Sequence, residues 1–555
     1  MKVLIIGGVA AGTKAAAKLK RMNPAADVTI LTKGKDISYA GCGLPYYVGG
    51  LIPEKEQLIV NTPAKFTELT GAKVLVEREV TSLDASAKQL AAKNLRTGME
   101  ETYSYDECVI ACGASSIVPP LQGVSLPGVF TMRTPDDAIE LRDYVERTGA
   151  KRAVVAGGGF IGLEAAENLA AKGLTVTVID MADQIMPGFD KEMADYAKRH
   201  LEKKGIKVLL NTRLEAVLGD SKAAGVKIPD GELKADVVVM SLGIRPNTAF
   251  LKDTGLEMMP NGTILVDSQM KTNLPNVYAA GDCVCVTNRL TGERAWSPMG
   301  SSANMEGRTL AEAMCGEDSS YPGVLGTAVV KLPELNGGRT GLREEAAKQA
   351  GFDVISVVIA TDDKAHYYPG AGMFIIKLIA DKNSRKLLGV QVLGSGAVDK
   401  VTDVGVVALT MSATIDQLQN MDMAYAPPFS TAIHPFVTAI NVLKNKLEGK
   451  MDSMTPAEFM QGKAEGYRIV DAALMPSIFG APYVDLNTVT GEVKGLGKEE
   501  KLLLICNKGK RAYLLQNRLR FFGYTNTKVL EGGLAVNVMP KQSGQVTVSA
   551  EDTKR

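Results

Sequence analysis

The sequence predicts an α/β fold with two Rossmann-like nucleotide-binding domains and further domains after them. Three observations predict it. A strand, a glycine turn and a small-residue helix follow one another over residues 2–22, and the same succession recurs from 153 onward. A strand at 502–505 ends in a lone thiol before another helix. At 555 residues the chain exceeds one hydrophobic core, so three or four domains are expected. The 45% apolar and 23% charged content is that of a soluble globular protein, and a net charge of +1 argues against nucleic acid as a bulk partner. No apolar run approaches the ~20 residues of a membrane span, so no membrane partner is expected. The opening Met1-Lys2-Val3-Leu4-Ile5-Ile6 reads as a strand rather than a signal peptide. Seven cysteines (42, 108, 112, 283, 285, 315, 506) show no paired zinc-ligand pattern, so no metal is expected and the thiols are read as free in a reducing cytoplasm. Those at 108, 112, 283, 285 and 315 fit small buried hydrophobes.

In the first unit, Lys2 to Ile6 leads into Gly7-Gly8-Val9-Ala10-Ala11-Gly12 and a helix through Met22. Such a turn points backbone N–H groups and the helix dipole at a pyrophosphate. Two positions depart from the dinucleotide fingerprint: Val9 replaces the middle glycine, and Thr32 stands where an acid usually grips the ribose. Along the helix, Lys14, Lys18 and Arg21 share one face, either a solvated face or a cationic strip for a polyanionic substrate.

Next comes Ser38-Tyr39-Ala40-Gly41-Cys42-Gly43-Leu44-Pro45-Tyr46-Tyr47. Cys42 lies between glycines with a helix expected at or just after it, an accessible place where the helix dipole would favour the thiolate. It has no sequence-local sulfur partner, so a disulfide it makes is expected to be with a small-molecule thiol.

The second turn, Gly157-Gly158-Gly159-Phe160-Ile161-Gly162, is a full G-x-G-x-x-G after the strand at 153–156. Residues 176–179 end in Asp180, which should accept hydrogen bonds from an adenosine ribose and repel a 2′-phosphate. NADH is therefore favoured, with NADPH possible. Two nucleotide sites and a reactive thiol suggest an electron path from nicotinamide through a flavin to sulfur. A strand at 105–114 and the stretch Asn276-Val277-Tyr278-Ala279-Ala280-Gly281-Asp282 fit the first domain, the latter with a carboxylate for a flavin ribityl hydroxyl.

With these motifs, residues 1 to about 445 resemble the flavin-dependent pyridine-nucleotide disulfide oxidoreductases, in their single-cysteine branch. The resemblance implies FAD at Gly7, Gly8, Ala10, Ala11, Gly12, Thr32, Lys33, Ala111, Gly113, Gly281 and Asp282. It implies NADH at Gly157, Gly159, Phe160, Ile161, Gly162, Asp180 and Gly243. That branch holds NADH peroxidases, NADH oxidases and coenzyme A-disulfide reductases. The peroxidases and oxidases resemble one another in a histidine inside the first glycine turn; here the position is Ala10, and the run is similar to the coenzyme A-disulfide reductase version. Gly41 departs from that version, which has Asn there. In those reductases a tyrosine from each of two segments sits near the active cysteine, the second from the partner subunit. The matching segments are His366-Tyr367-Tyr368-Pro369-Gly370 and Tyr425-Ala426-Pro427-Pro428-Phe429-Ser430. The resemblance thus gives Tyr367, Tyr368 and Tyr425 a proton-donor role beside catalytic Cys42. His434-Pro435 resembles the His-Pro pair of glutathione reductase, but its register suits the role less well. Coenzyme A contacts are expected from Lys14, Lys18, Arg21, Ser38, Asn304 and Arg308.

After a charged, small-residue linker at 448–454, Thr455-Pro456-Ala457-Glu458 signals a helix start. Cys506-Asn507-Lys508-Gly509-Lys510-Arg511-Ala512 then places a thiol among loop N–H groups beside three cations, before a helix from about 511 to 522. This part resembles a rhodanese domain that relays sulfur through Cys506. The family's Asp-Val-Arg strand end is Asp471-Ala472-Ala473, which removes an arginine.

The expected domains are therefore 1–113 with 245–325 for FAD, 114–244 for NAD(P)H, 326–447 as an α+β dimerisation domain, and 455–555 as a rhodanese-like α/β domain. The reading is a homodimeric NADH-dependent reductase of coenzyme A persulfide or disulfide. Its rivals are an NADH oxidase or peroxidase, and a non-reductive sulfur carrier or redox sensor.

Overall fold

The computed structural model describes residues 1–539; the polar tail at 540–555, expected to fray, lies outside the described residues. Two compact units form, one from Met1–Ile185 with Gly205–Val324, the other from Met186–Lys204 with the chain from Leu325 onward.

The first unit holds two parallel five-stranded sheets. One runs in the order Val277–Ala279, Glu107–Ile110, Lys2–Ile6, Asp27–Thr32 and Lys73–Val76; the other runs Lys207–Leu209, Thr175–Ile179, Arg152–Ala156, Val237–Met240 and Val129–Phe130. Both are built from short β-branched runs with apolar residues on each face, the pattern that suits a sheet covered by helices on both sides. The two glycine turns leave the carboxyl ends of their central strands at equivalent places. A Cβ built on Gly7 (φ +108°) would lie 2.0 Å from the Ala111 carbonyl oxygen, and one on Gly157 (φ +115°) 2.1 Å from that of Ser241. Each turn passes so close beneath the neighbouring strand that only glycine fits there.

In the second unit, an antiparallel sheet runs in the order Ala328–Leu332, Leu335–Gly341, Leu387–Gly394, Met373–Asp381 and Val354–Asp362. Lys377 is buried in it and meets Asp190, Glu192 and Glu344 at 2.9, 2.6 and 2.9 Å. An ammonium this deep needs carboxylate partners, and these draw the helix Lys191–Lys203 onto the sheet. That helix lies within the 114–244 stretch, yet it is grouped with the second unit.

The C-terminal sheet is parallel, in the order Ser453–Met454, Thr527–Leu530, Leu502–Ile505 and Arg468–Asp471. The expected linker at 448–454 thus ends in a strand, because Met454 is buried and pairs with Leu530. Thr455 caps the helix Pro456–Met460: its hydroxyl accepts the Glu458 N–H at 3.1 Å, and the Glu458 carboxylate accepts the Thr455 N–H at 3.0 Å. Buried Glu531 accepts from the Val358 N–H (2.8 Å), Lys446 Nζ (2.6 Å) and the Ser453 hydroxyl (2.6 Å), pinning this sheet to the edge strand Val354–Asp362.

Candidate functional site

Cys42 sits in the 3-10 turn Gly41–Gly43, ahead of the six-residue helix Leu44–Gly49. Glycine on both sides of the thiol breaks regular structure and leaves it solvent-exposed. Two longer helices clamp this segment. On one side the Arg142 guanidinium stacks 4.6 Å over the Tyr47 ring and donates to the Pro53 carbonyl at 3.0 Å. On the other, the Tyr46 hydroxyl donates to Glu164 at 3.1 Å. Gly49 abuts Asn168, whose Oδ1 would lie 2.1 Å from any added Cβ. The Ser38 N–H donates to the Gly8 carbonyl at 2.9 Å, tying the thiol stretch to the first glycine turn.

The expectation that a helix dipole favours the Cys42 thiolate is corrected. Surrounding protein mass pushes the thiol's pKa up, Glu164 and Asp282 push it further, and Arg133 alone opposes them. The following helix is too short to offset two carboxylates.

The first glycine turn fits a bound pyrophosphate. The helix Ala10–Met22 starts without a side-chain cap, and so does Phe160–Ala171 after the second turn. The helices Pro63–Thr70, Pro135–Thr148, Ile415–Leu418 and Pro456–Met460 are threonine-capped, whereas Lys191–Lys203, Gly300–Met314 and Val398–Thr410 also lack a side-chain cap. The uncapped N–H groups of Ala10, Ala11 and Gly12 are thus left for an anion. Thr32 is buried at its strand end, while Lys33 pairs with Glu79 at 2.8 Å. Ala111 and Gly113 (φ +66°) close the far side of the cradle. The Gly281 N–H donates to buried Glu306 at 2.7 Å, and Asp282 pairs with Arg133. Burial lifts the Glu306 carboxyl to about 8, with Asp282 adding to the rise.

At the second turn, Asp180 accepts the N–H groups of Gly158 at 2.6 Å and Ala182 at 2.8 Å. Its carboxylate is thereby tied to the second glycine turn at Gly158. Gly243 (φ +99°) precedes the strand Ile244–Pro246, which pairs with Ala114–Ser116 where the chain crosses between the two sheets.

The expected cationic strip is partly spent. Lys18 reaches Glu312 at 3.0 Å and Arg308 reaches the same carboxylate at 3.0 Å, because the helices Ala10–Met22 and Gly300–Met314 cross closely at Gly307. Lys14 is half-buried and Arg21 exposed, while Asn304 donates to the Gly300 carbonyl at 2.8 Å.

In the second unit the two tyrosine segments of one chain come together. A hydrogen bond that the Tyr425 phenol donates to Tyr367 raises its pKa, and both side chains are exposed; Tyr368 is the less exposed of the neighbouring pair. The buried His434 ring accepts the Phe436 N–H at 3.2 Å, capping the helix Pro435–Leu447, and burial lowers its pKa to about 4. Near neutral pH it is therefore an uncharged cap.

Cys506 is buried at the end of Leu502–Ile505, where its sulfur accepts the Ala512 N–H at 3.4 Å. The helix after it, Lys510–Phe521, begins and ends one residue earlier than expected. Arg511 donates to the Ala472 carbonyl and to Asp485, both at 3.2 Å, and Lys508 reaches Asp362 at 2.5 Å. Cys108, Cys283 and Cys285 are buried as expected, whereas Cys112 and Cys315 are half-buried. A hydrogen bond to Cys283 and burial push the Cys112 thiol up. Arg133, Glu164 and Glu306 had no signal in the sequence, since each reads as an ordinary charged residue of a helix or turn until the fold buries or pairs it.

Residues 1–306 match the family model described as pyridine nucleotide-disulphide oxidoreductase, and residues 327–436 match its dimerisation domain. The chain belongs to this family. Residues 440–536 match the rhodanese-like domain. The NAD(P)H coenzyme A polysulfide/persulfide reductase of Pyrococcus horikoshii is 36% identical over 445 residues, covering 80% of this chain and 98% of the relative. An NADH oxidase of Methanocaldococcus jannaschii is 34% identical over 452 residues, covering 81% and 100%. The solved NAD-dependent persulfide reductase of A. fulgidus is 36% identical with a TM-score of 0.92, covering 97% of this chain and 100% of that one. The family binds FAD and NAD(P)H, in keeping with the two uncapped glycine turns.

Proposed function

We propose that the protein is a homodimeric, FAD-dependent reductase that uses NADH to cleave coenzyme A persulfides and disulfides, with Cys506 relaying sulfane sulfur. Cys42 carries the reading: an exposed thiol clamped between two helices, with Tyr47 rather than a cysteine five positions on. A thiol so placed exchanges with a small-molecule thiol. The persulfide reductases among the relatives support coenzyme A persulfide as that molecule. The M. jannaschii oxidase does not carry its activity here, because Ala10 leaves no imidazole beside the sulfur.

Residues of the first glycine turn and Asp282 would hold FAD, which would supply the passage of an electron pair from NADH to sulfur. The Cys42 thiolate attacks the sulfane sulfur of CoA-S–SH; a new S–S bond forms at Cys42 while the bond to the CoA sulfur breaks. The CoA thiolate leaves with the electron pair and is protonated to CoA-SH, the phenols of Tyr367, Tyr368 and Tyr425 being the proposed donors. Over the cycle NADH, a proton and CoA-S–SH give NAD⁺, CoA-SH and hydrogen sulfide. With a disulfide, two CoA-SH result. Asp180 selects NADH, and Lys14, Arg21, Ser38, Asn304 and Arg308 receive the polyanionic end of coenzyme A. Among the described residues no helix is long and apolar enough to cross a membrane, and all seven cysteines are free, which supports a reducing cytoplasm.

Anaerobic turnover with CoA persulfide tests this. Sulfide should appear mole for mole with NADH consumed, and Cys42→Ser should lower both by at least about a thousandfold. Unchanged turnover in that variant, or oxygen uptake matching NADH without any thiol, sinks the proposal.

A further inference from the structure

The helix after Cys42 carries two consecutive phenols, and they go to different partners. Tyr47 is buried, with the Arg142 guanidinium 4.6 Å over its ring on one flank. Tyr46 is half-buried on the other flank, where its hydroxyl donates to Glu164 at 3.1 Å. Position 46 lies four residues beyond the thiol, along a turn that runs from 3-10 into α, the spacing that makes side chains neighbours. Cys42, Tyr46 and Glu164 therefore form one cluster. Burial and then Glu164 push the Cys42 thiol up, while burial, Glu164, Glu167 and Cys42 push up the Tyr46 phenol.

A phenol so raised keeps its proton, so Tyr46 acts as a donor, and its acceptor is an acid that opposes the thiolate. A carboxylate that accepts an O–H shares its charge with that bond and keeps an oxygen turned toward the phenol. The other charged groups facing the sulfur are paired: Asp282 meets Arg133, which favours the thiolate. Arg142 is engaged by Tyr47, Glu146 and the Pro53 carbonyl. The cluster is also held in register. Gly49 abuts Asn168, one turn beyond Glu164 on the helix Phe160–Ala171, so closely that an added Cβ would lie 2.1 Å from its Oδ1.

We propose that Tyr46 is a positioning residue for the exchange at Cys42: by holding the Glu164 carboxylate on its hydroxyl, it lightens the negative field on the sulfur and keeps the thiolate accessible. The inference rests on the reductase reading and deepens it, since it names a residue that sets the attacking form of the same thiol. Tyr46 exchanges no proton in this role. When Cys42 gives up its proton to solvent, the phenol keeps its own and Glu164 stays charged, so Tyr46 works through Glu164 alone.

The test is alkylation of Cys42 by iodoacetamide as a function of pH, read by peptide mass spectrometry so that the other thiols do not intervene. The full-length holoenzyme is reduced with dithiothreitol and desalted before each reaction. Tyr46→Phe, which keeps the ring, should move the midpoint up by about half a unit, an about threefold slower reaction on the acid side. The plateau at high pH, which reports access to the sulfur, should stay where it is. In a Glu164→Gln background the same change should leave the midpoint unmoved. A shift that persists in full in that background overturns the proposal, because Tyr46 would then serve the sulfur directly. An unmoved midpoint in the parent overturns it too, whether the plateau holds or falls, and a fallen plateau would make Tyr46 a packing residue. If the parent does not reduce coenzyme A persulfide or disulfide while the midpoint responds as stated, the reductase reading falls and this one stands.

Discussion

Cys42 stands in solvent at a three-residue turn, pressed by the carboxylates of Glu164 and Asp282, while Cys506 is buried at a strand end with the Ala512 N–H on its sulfur. The surroundings divide the labour. An exposed sulfur whose charge is resisted is suited to repeated exchange, because any anion it forms is reactive and short-lived. A buried sulfur that accepts a helix N–H is suited to holding one transferred atom. Near Cys506 the Asp471 carboxylate accepts backbone N–H groups and Asp485 pairs with Arg511.

Separating the two thiols gives the largest effects. Cys506→Ser should leave NADH-dependent reduction of CoA disulfide unchanged while ending sulfur loading at the C-terminal domain. Cys42→Ser should do the reverse, with reduction falling at least about a thousandfold. If either substitution removes both activities, the division does not hold. Next come the phenols. Tyr367→Phe with Tyr425→Phe should slow CoA release about a hundredfold, the scale of a lost general acid, with Cys506 loading untouched. Stopped-flow measurement of thiol release checks this.

The two thiols were also unequally legible. The glycine turns, the strand before Cys506 and the threonine cap at Thr455 follow from local pattern, so the sheets appear in the sequence in order. Partnerships across the chain do not. Lys18 and Arg308 lie 290 positions apart, and only the close helix crossing at Gly307 reveals that both are held by Glu312. The cations beside Cys506 looked available because Asp362 and Asp485 are remote in sequence. The dipole argument at Cys42 weighed a local feature, while burial by the surrounding chain, the largest cause of the raised pKa, and the charges of Glu164 and Asp282 come from elsewhere. Spacing identifies the nucleophiles; tertiary electrostatics sets how each behaves.

The acidic side of Cys42's surroundings has a signature in stability. Burial lifts Glu306 from an ordinary 4.5 to about 8, so the folded state holds this proton where the unfolded chain has released it. The contribution is complete below the unfolded value of 4.5 and is lost as pH rises through about 8. Glu306→Gln keeps an acceptor for the Gly281 N–H and has no proton to lose. It should flatten the fall in stability between pH 5 and pH 8.5 by up to a few kcal/mol. Denaturant melts of both proteins at the two pH values check this; parallel slopes would mean that Glu306 is ionised throughout.

The smallest effect expected is also the most direct probe of the contrast. Glu164→Gln removes one of the two carboxylates that raise the Cys42 pKa and leaves Gln able to accept the Tyr46 hydroxyl. The thiolate is the attacking form, so a lower pKa keeps it populated at lower pH. The acid limb of kcat/KM for CoA disulfide should therefore move down by about half a unit to one unit. Arg133, which already favours the thiolate, is then less opposed, so the shift has a definite sign. Loading of Cys506 should not change. An upward shift would mean that the Tyr46–Glu164 pair, not the carboxylate's charge, governs the exposed sulfur. The two thiols would then differ by hydrogen bonding alone.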